Sequence, residues 1–441
     1  MKFFKVLIIL VIFQNCSFDN KTGIWKNENN IEKVEKNIFD ELETFSAIKQ
    51  TFNKIIPFKE NFKFDTLDEK INSKWYDFFY NLSNNSENFK YSNTNQLIFK
   101  SKKITKHKIG DYILYDRGNI ILSDYKGNII VFSIKRNKII RKINFYKKNY
   151  KKFKKVLNLS VDGDIIYVTD NIGYIYSYNY IKDKFLWAKN YKVPFRSNLK
   201  ILDNKIVAAN QNNNFYFFDK KDGEVLRLIP TEETIVKNKF INNIAANNTN
   251  IFFLNTYGSL YSFKKNDMRI EWFLNLNQSI DLNPNNLFLS SKIISYKDKI
   301  IVPTNEFLYV INSKNGSIIY KKNLSLLMKP LAINNYLFLI NSNNLLIALD
   351  LEDGNFIYSY SINQKIADYL NTKKKVADLK NIKIANNQIL VFLKNSYILK
   401  FNLNGELEEL NKLPSKIKTN PIFIDKSILY LDFKNKVSII D

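Results

Sequence analysis

The sequence of 441 residues contains one cysteine, Cys16, and one histidine, His107, and this scarcity excludes whole classes of chemistry. A Cys/His zinc cluster, a disulfide framework and a Cys–His dyad each need more such residues than one chain supplies here. Serine–histidine–aspartate catalysis would have to run through His107, which sits in the basic string KKITKHKIG and reads as a solvated loop residue. No paired acidic motif stands out for carboxylate chemistry. Methionine is rare, at 3 residues, and glycine is scarce, at 11, so the position of each glycine carries information.

Against these absences stand 35 phenylalanines and 26 tyrosines in a chain that is 45% hydrophobic. That much apolar material excludes global disorder, and the aromatic content favours pleated, half-buried strands. The formal charge of +25 invites a nucleic-acid reading. The excess, however, is lysine spread along the whole chain beside abundant Asn, Ile and Phe, residues that share A/T-rich codons. Nucleic acid is therefore not expected as a partner. The densest basic run, YKKNYKKFKK from Tyr146 to Lys155, reads as a solvated loop, with anionic lipid or an acidic protein surface as the alternative contact.

The N-terminus reads MKFFKVLIILVIFQNC. Lys2 and Lys5 form a short positive region, and Val6 to Phe13 an apolar one. Eight residues span about 12 Å as a helix, far short of the roughly 30 Å of a bilayer core. A signal peptide over residues 1–15 is expected rather than a membrane span. The only cysteine follows at once, and IFQNC resembles a bacterial lipoprotein box, which implies cleavage before Cys16 and acylation of its thiol. Asn15 and Gln14 depart from the small residues usual there. Ser17, rather than Asp, implies outer-membrane sorting.

Residues 16–30, rich in Asn and Lys, read as a flexible tether. Ile31, Val34, Ile38, Leu42, Phe45, Ile48, Phe52 and Ile55 then recur at spacings of 3 and 4, which predicts an amphipathic helix ending near Pro57, within a helical segment over 31–73. From residue 74 to 441 a strand–turn–strand–turn–strand unit repeats eight times. Its copies begin near residues 118, 163, 203, 249, 297, 334, 386 and 425, at gaps of 45, 40, 46, 48, 37, 52 and 39. That spacing matches the roughly 40–50-residue period of propeller blades. Gly127, Gly173 and Gly258 mark the first turn, with Asn214, Asn344 and Asn435 in that slot elsewhere; Gly223, Gly316, Gly354 and Gly405 mark the second. Both residue types tolerate the positive φ of tight hairpins. The fold class is thus all-β, an eight-bladed propeller of four-stranded blades. The last unit ends at Asp441 after three strands, so its outer strand must come from upstream, from 74–80 or 97–104, closing the ring.

The strings LDLEDGNFIY, FDKKDGEVL and INSKNGSIIY, with KFLWAK and IEWF in the final strands, resemble the quinoprotein-type repeat. There an Asp–Gly turn leads into a strand bearing Trp; here Trp187 and Trp272 hold that slot, and Tyr320 and Tyr358 replace it. With the lipoprotein signal and eight blades, the chain resembles the outer-membrane protein assembly lipoproteins of the BamB family. The resemblance implies a non-enzymatic scaffold without a cofactor, anchored by lipid on the periplasmic face of the outer membrane. Its implied partners are the barrel-assembly subunit and complex, and outer-membrane protein clients. In KVPFRSNLKI, Val193, Phe195 and Arg196 match the family's partner-binding loop, although an ordinary loop cation is the plainer account of Arg196. Lys237 and Lys239 stand where the next loop of the family tends to be acidic. A quinone-dependent dehydrogenase and a ligand- or glycan-binding periplasmic propeller are the alternatives that the repeat admits.

Overall fold

The computed structural model describes the backbone of residues 16–18 and 25–27, and residues 52–146, 150, 152–232, 243–277, 288–326 and 328–441 in full. The chain divides into two compact units, residues 1–50 and 51–441. In the first, Cys16–Phe18 pairs antiparallel with Trp25–Asn27, placing Cys16 opposite Asn27 and Phe18 opposite Trp25. The span expected as a tether thus holds a short hairpin, in keeping with the strand preference of its aromatic residues. The signal region 1–15 and most of the amphipathic stripe, 31–51, lie outside the described residues.

Hairpin chemistry builds the second unit. At the turn between the second and third strands of a blade, an Asp or Asn side chain folds back over the turn. Asp170 Oδ1 accepts from the backbone N–H groups of Ile172, Gly173 and Tyr174 at 2.8 Å each. Asp124 and Asn255 do the same for their own turns. Such a turn needs one left-handed residue. Gly127, Gly173 and Gly258 supply it, with Asn344, Ser396 and Asn435 in other blades. In blade 3 the left-handed residue is Asn213 (φ +64°), not the expected Asn214.

Antiparallel hairpins joined in this way give eight four-stranded blades: 114–144, 157–190, 200–229, 243–275, 294–322, 331–361, 379–412 and 422–440 with 97–100. Each of the first seven sequence units corresponds to the outer three strands of a blade, with a further strand preceding it at the axis; the eighth, expected to hold three strands, holds the middle two of its blade. The connection between blades 6 and 7, where the unit starts are 52 residues apart, holds the one helix among the described residues, Ile362–Leu370, capped by Ser361. The second glycine joins neighbouring blades. A Cβ on Gly223 would lie 2.4 Å from the Trp187 ring of the preceding blade, and one on Gly316 would lie 2.6 Å from Trp272. Each indole N–H donates to a carbonyl of the same turn, Lys220 and Ser313 respectively. Gly354 and Gly405 are covered by Tyr320 and Tyr358 in the same way. Aromatic ring on glycine turn is therefore the seal between consecutive blades.

The ring closes through Leu97–Lys100, which pairs antiparallel with Val437–Ile440 as the outer strand of blade 8. Of the two expected candidates, 97–104 contains the closing strand and 74–80 does not. Residues 72–92 instead run around the inner strands at one end of the axis. The circuit starts at blade 8, where Asn72 bonds Phe423 O and Asp425 N. Trp75 bonds Tyr115 of blade 1 in both directions at 2.8 Å, and Tyr76 O accepts from Val161 of blade 2. Asp77 pairs with Lys200 of blade 3 at 2.8 Å. Leu82 and Ser83 accept from Ala246 and Ser295 of blades 4 and 5. Asn85 bonds both backbone groups of Ala332 in blade 6. Asn88 and Phe89 lie parallel to Ile384 and Ala385 of blade 7. A largely polar string thus plugs one end of the axis; its buried Asn84, Asn85, Ser86 and Asn88 side chains are hydrogen-bonded, whereas Trp75 Nε1 has no partner.

The helical segment expected over 31–73 is corrected over its described part. Residues 52–73 are extended, and Ile56 exchanges backbone hydrogen bonds with Ser359 at 3.0 and 2.8 Å. Phe58, Phe62 and Phe64 pack on Tyr336, Phe338 and Tyr358 of blade 6. Pro57 disfavours helix at the residue before it, and the alternation of Phe62 with Phe64 suits a strand lying in a groove.

Candidate partner-binding loop and the ring axis

Five connections between blades repeat one geometry. A residue of the connection bridges the head of the following turn: Ile109 to Asp124, Phe195 to Asn210, Ser290 to Thr304, Leu326 to Asn341 and Ile417 to Asp432. In four of the five this residue is apolar and buried. Phe195 is thus an anchor. It is 2% exposed and sits against Tyr167, Leu199, Tyr216 and Phe218 between blades 2 and 3. The expectation that Phe195 presents itself to a partner is corrected: the loop needs an apolar knob there to seal the gap between two blades.

The residues beside the anchor are free to differ between blades, with Gly110, Arg196, Ser291 and Lys418 in the position that follows it. Val193 and Arg196 are both half-buried on the loop. The Arg196 guanidinium donates to Gln211 Oε1 at 3.3 Å, and its Nε has no partner. Burial lowers its pKa from the usual arginine value. Val193 and Arg196 are thus partly exposed on the loop, and Phe195 is buried beneath it. Lys237 and Lys239 lie outside the described residues, as do Lys147, Lys148 and Lys151 of the basic run. Of the rest of that run, Lys155 is buried and donates to Tyr150 O, and Lys154 lies 3.9 Å over the Tyr125 ring. These lysines belong to the blade 1–blade 2 junction. His107 is a half-buried loop residue between exposed Lys106 and Lys108. The side chain of Cys16 lies outside the described residues.

A second surface lies along the blade edges. The outer strands Val225–Ile229, Ile270–Asn275 and Ile318–Lys322 are the edges of blades 3, 4 and 5. They expose Val225, Leu226, Leu228, Ile270, Phe273, Ile318 and Ile319, the last two on adjacent residues and Phe273 at 64%. Clustered apolar exposure along unpaired strand edges marks interaction surface.

A quinone held beside calcium needs a carboxylate-bearing donor set. Here the plug fills one end of the axis, and the cavity at the other is lined by lysines with no carboxylate. Among the described residues no group of three or more His, Cys, Asp or Glu is placed to hold a metal ion. The residues at the axis do not fit such a group. Nor is any described helix long and apolar enough to cross a membrane.

Fold and axis together define an eight-bladed propeller of quinoprotein-type repeats. The family model described as outer membrane protein assembly factor BamB matches residues 147–360. Over that stretch the chain resembles the repeat propeller of that family. Among solved structures, BamB from Moraxella catarrhalis superimposes with a TM-score of 0.60 at 11% identity, covering 78% of this chain and 99% of that one. A computationally designed protein, Ika8, reaches 0.59 at 10% identity, with 78% and 99% covered. The C-terminal WD40 domain of Sif2 reaches 0.54 at 9% identity, with 78% and 97% covered. Identities this low establish the shared fold. No curated protein matches the sequence.

Proposed function

We propose that the chain is a non-enzymatic scaffold lipoprotein of the machinery that assembles outer-membrane β-barrels, acting on the periplasmic face of the outer membrane. The observation that carries this reading is a closed BamB-like ring whose axis is filled at one end by its own residues 72–92, with loops and blade edges as its surfaces toward protein partners. Cys16, acylated after removal of residues 1–15, tethers the ring to the membrane. Val193 and Arg196 contact the barrel-assembly subunit, with Phe195 holding their loop in place from within. The apolar edges of blades 3 to 5 receive extended client segments by strand addition, a mode in which backbone hydrogen bonds supply affinity.

Purification from a detergent-solubilised membrane tests the assignment. The full chain is expected to bring down the barrel-assembly subunit, and the Arg196→Glu variant to bring down much less. Recovery of the full-length chain without that subunit removes the assignment.

A further inference from the structure

Four lysines from separate strands and connections converge on one cavity at the ring axis. Lys292 precedes the inner strand of blade 5, Lys329 precedes that of blade 6, and Lys380 and Lys383 lie on the inner strand of blade 7. The cavity measures about 310 Å³, and its lining includes no Asp or Glu. Its remaining walls come from the start of blades 8 and 1, through Asn420 and Tyr112, and from Trp75 and Phe79 of the plug. Tyr112, Lys292, Lys329 and Asn420 stand just before the inner strands of blades 1, 5, 6 and 8, on the side of the connections between blades, while Lys383 reaches the cavity from within the inner strand of blade 7.

The ammoniums are not directly ion-paired, although Asp77 acts on Lys329 and Asp111 on Lys380 at longer range. None of the four makes an ion pair with a carboxylate among the described residues. Lys380 donates to Lys418 O at 2.8 Å, Lys383 to Ser86 Oγ at 3.1 Å, and Lys329 to Asn84 O. Lys292 faces the Phe79 ring at 5.2 Å, and Lys383 also faces the Trp75 ring at 4.8 Å. Contrast Lys200 a short way along the same axis, which is paired with Asp77 and two further oxygens. Gathering like charges away from water is costly unless something compensates them. Surrounding protein accordingly lowers the pKa of all four, Lys383 to about 7 and Lys292 to about 8, with Lys329 further depressed by Lys383 and Lys200. Lys292, Lys329 and Lys380 are half-buried and Lys383 is buried, and an ammonium carries three N–H donors, more than the hydrogen bonds each one makes here.

We propose that this axial cavity is a binding site for a small phosphate-bearing anion, held by Lys292, Lys329, Lys380 and Lys383. Lysine ammoniums act as point-charge donors suited to phosphate oxygens. At about 30 Å³ per water, the volume matches roughly ten waters, enough for a diphosphate or a small phosphate ester. The Trp75, Phe79 and Tyr112 rings would lie along an organic substituent. The proposal does not depend on the scaffold role.

Inorganic pyrophosphate is the probe, titrated calorimetrically into the full-length chain and tested by thermal shift. Saturable one-to-one binding with a rise in Tm is expected. Lys329→Gln with Lys383→Gln should weaken binding by at least tenfold and abolish the shift, while melting no lower than the parent without probe, because like-charge repulsion is relieved. Lys182→Gln with Lys184→Gln, both exposed on blade 2, is the control for general attraction to a basic surface. A response that survives the cavity pair, or that falls equally in the control, identifies surface charge alone and overturns the proposal, as does the absence of binding. Phosphatidylglycerol vesicles competing with pyrophosphate would identify a lipid headgroup as the phosphate source; failure to compete would identify a free anion.

Discussion

Ring closure offers the sharpest test of the architecture. Gln96 and Asp441 exchange backbone hydrogen bonds at 3.3 and 3.0 Å, so they stand directly opposite at the end of the closing pair. Directly opposed, hydrogen-bonded antiparallel partners have Cα atoms about 5.5 Å apart, which is the separation a disulfide prefers. In a Cys16→Ala background, Gln96→Cys with Asp441→Cys provides the only two thiols. Closing a loop of about 345 residues removes unfolded-state entropy equivalent to roughly 6 kcal/mol at the chain-entropy limit, and engineered bonds typically deliver about 2–4 kcal/mol. With an unfolding entropy of about 2 cal/mol/K per residue, 3 kcal/mol corresponds to a rise in Tm of about 4 °C for a domain of this length. The complementary perturbation removes residues 437–441. Val437, Ile439 and Ile440 are all buried, and at about 1.5–3 kcal/mol each their loss amounts to roughly 5–9 kcal/mol. That is comparable to the whole stability of many domains, and two unpaired edges are left besides. The assays are free-thiol titration after mild oxidation and thermal melts under oxidising and reducing conditions. Thiols that stay free, or a crosslink that forms only between chains, would refute closure by 97–100.

Other expectations follow from the same geometry. Phe195→Ala should cost about 3–5 kcal/mol as a buried aromatic truncation, so partner binding is to be tested with Val193 and Arg196 alone; an unchanged melt would put Phe195 outside the core. Gly223→Ala, with φ +76° and the Trp187 ring at 2.4 Å, should destabilise by at least about 1 kcal/mol more than Gly163→Ala, whose Cβ would meet nothing within 4 Å; equal denaturation midpoints would remove the blade-to-blade seal. Asp77→Ala should cost about 3–5 kcal/mol by leaving Lys200 buried without countercharge, and adding Lys200→Met should recover much of it in urea denaturation. Lys383 and Lys292 have folded pKa values of about 7 and about 8, below the ordinary 10.5. Between about pH 7 and 10 the unfolded chain therefore holds more protons than the fold, and stability rises with pH. Lys329 and Lys380 act in the same direction. A Tm series across that window should flatten in Lys292→Gln with Lys383→Gln, and a parent Tm that falls across it would contradict the sign.

The blades were legible because their determinants are local. An Asp or Asn followed three residues later by Gly or Asn specifies the turn, and Asp–Gly followed by a Trp-bearing strand specifies the seal, so each copy announces itself within about ten residues. The plug was not legible for the opposite reason. NLSNNSENFK reads as a solvated polar loop, and only inner-strand carbonyls from many blades, such as those of Ile244, Ile293 and Ala332, make its burial affordable. The extended strap at 52–73 was masked by a helical spacing that Pro57 terminates and that tertiary grooves override. Phe195 was readable in principle, since the repeat register sets it beside Ile109, Leu326 and Ile417, all buried. The lysine cavity carries no local signal. Lys292, Lys329 and Lys383 are separated by roughly one blade each and meet only when the ring closes.

The most direct test of the scaffold role is calorimetric titration of the full chain with the soluble periplasmic domains of the barrel-assembly subunit, alongside Arg196→Glu and Val193→Asp variants whose melts are checked first. Saturable binding by the parent, weakened at least tenfold in variants with unchanged Tm, is the expected result. Parent-like affinity in both stably folded variants would remove this loop from the interface, and absence of binding by the parent would contradict the scaffold role itself.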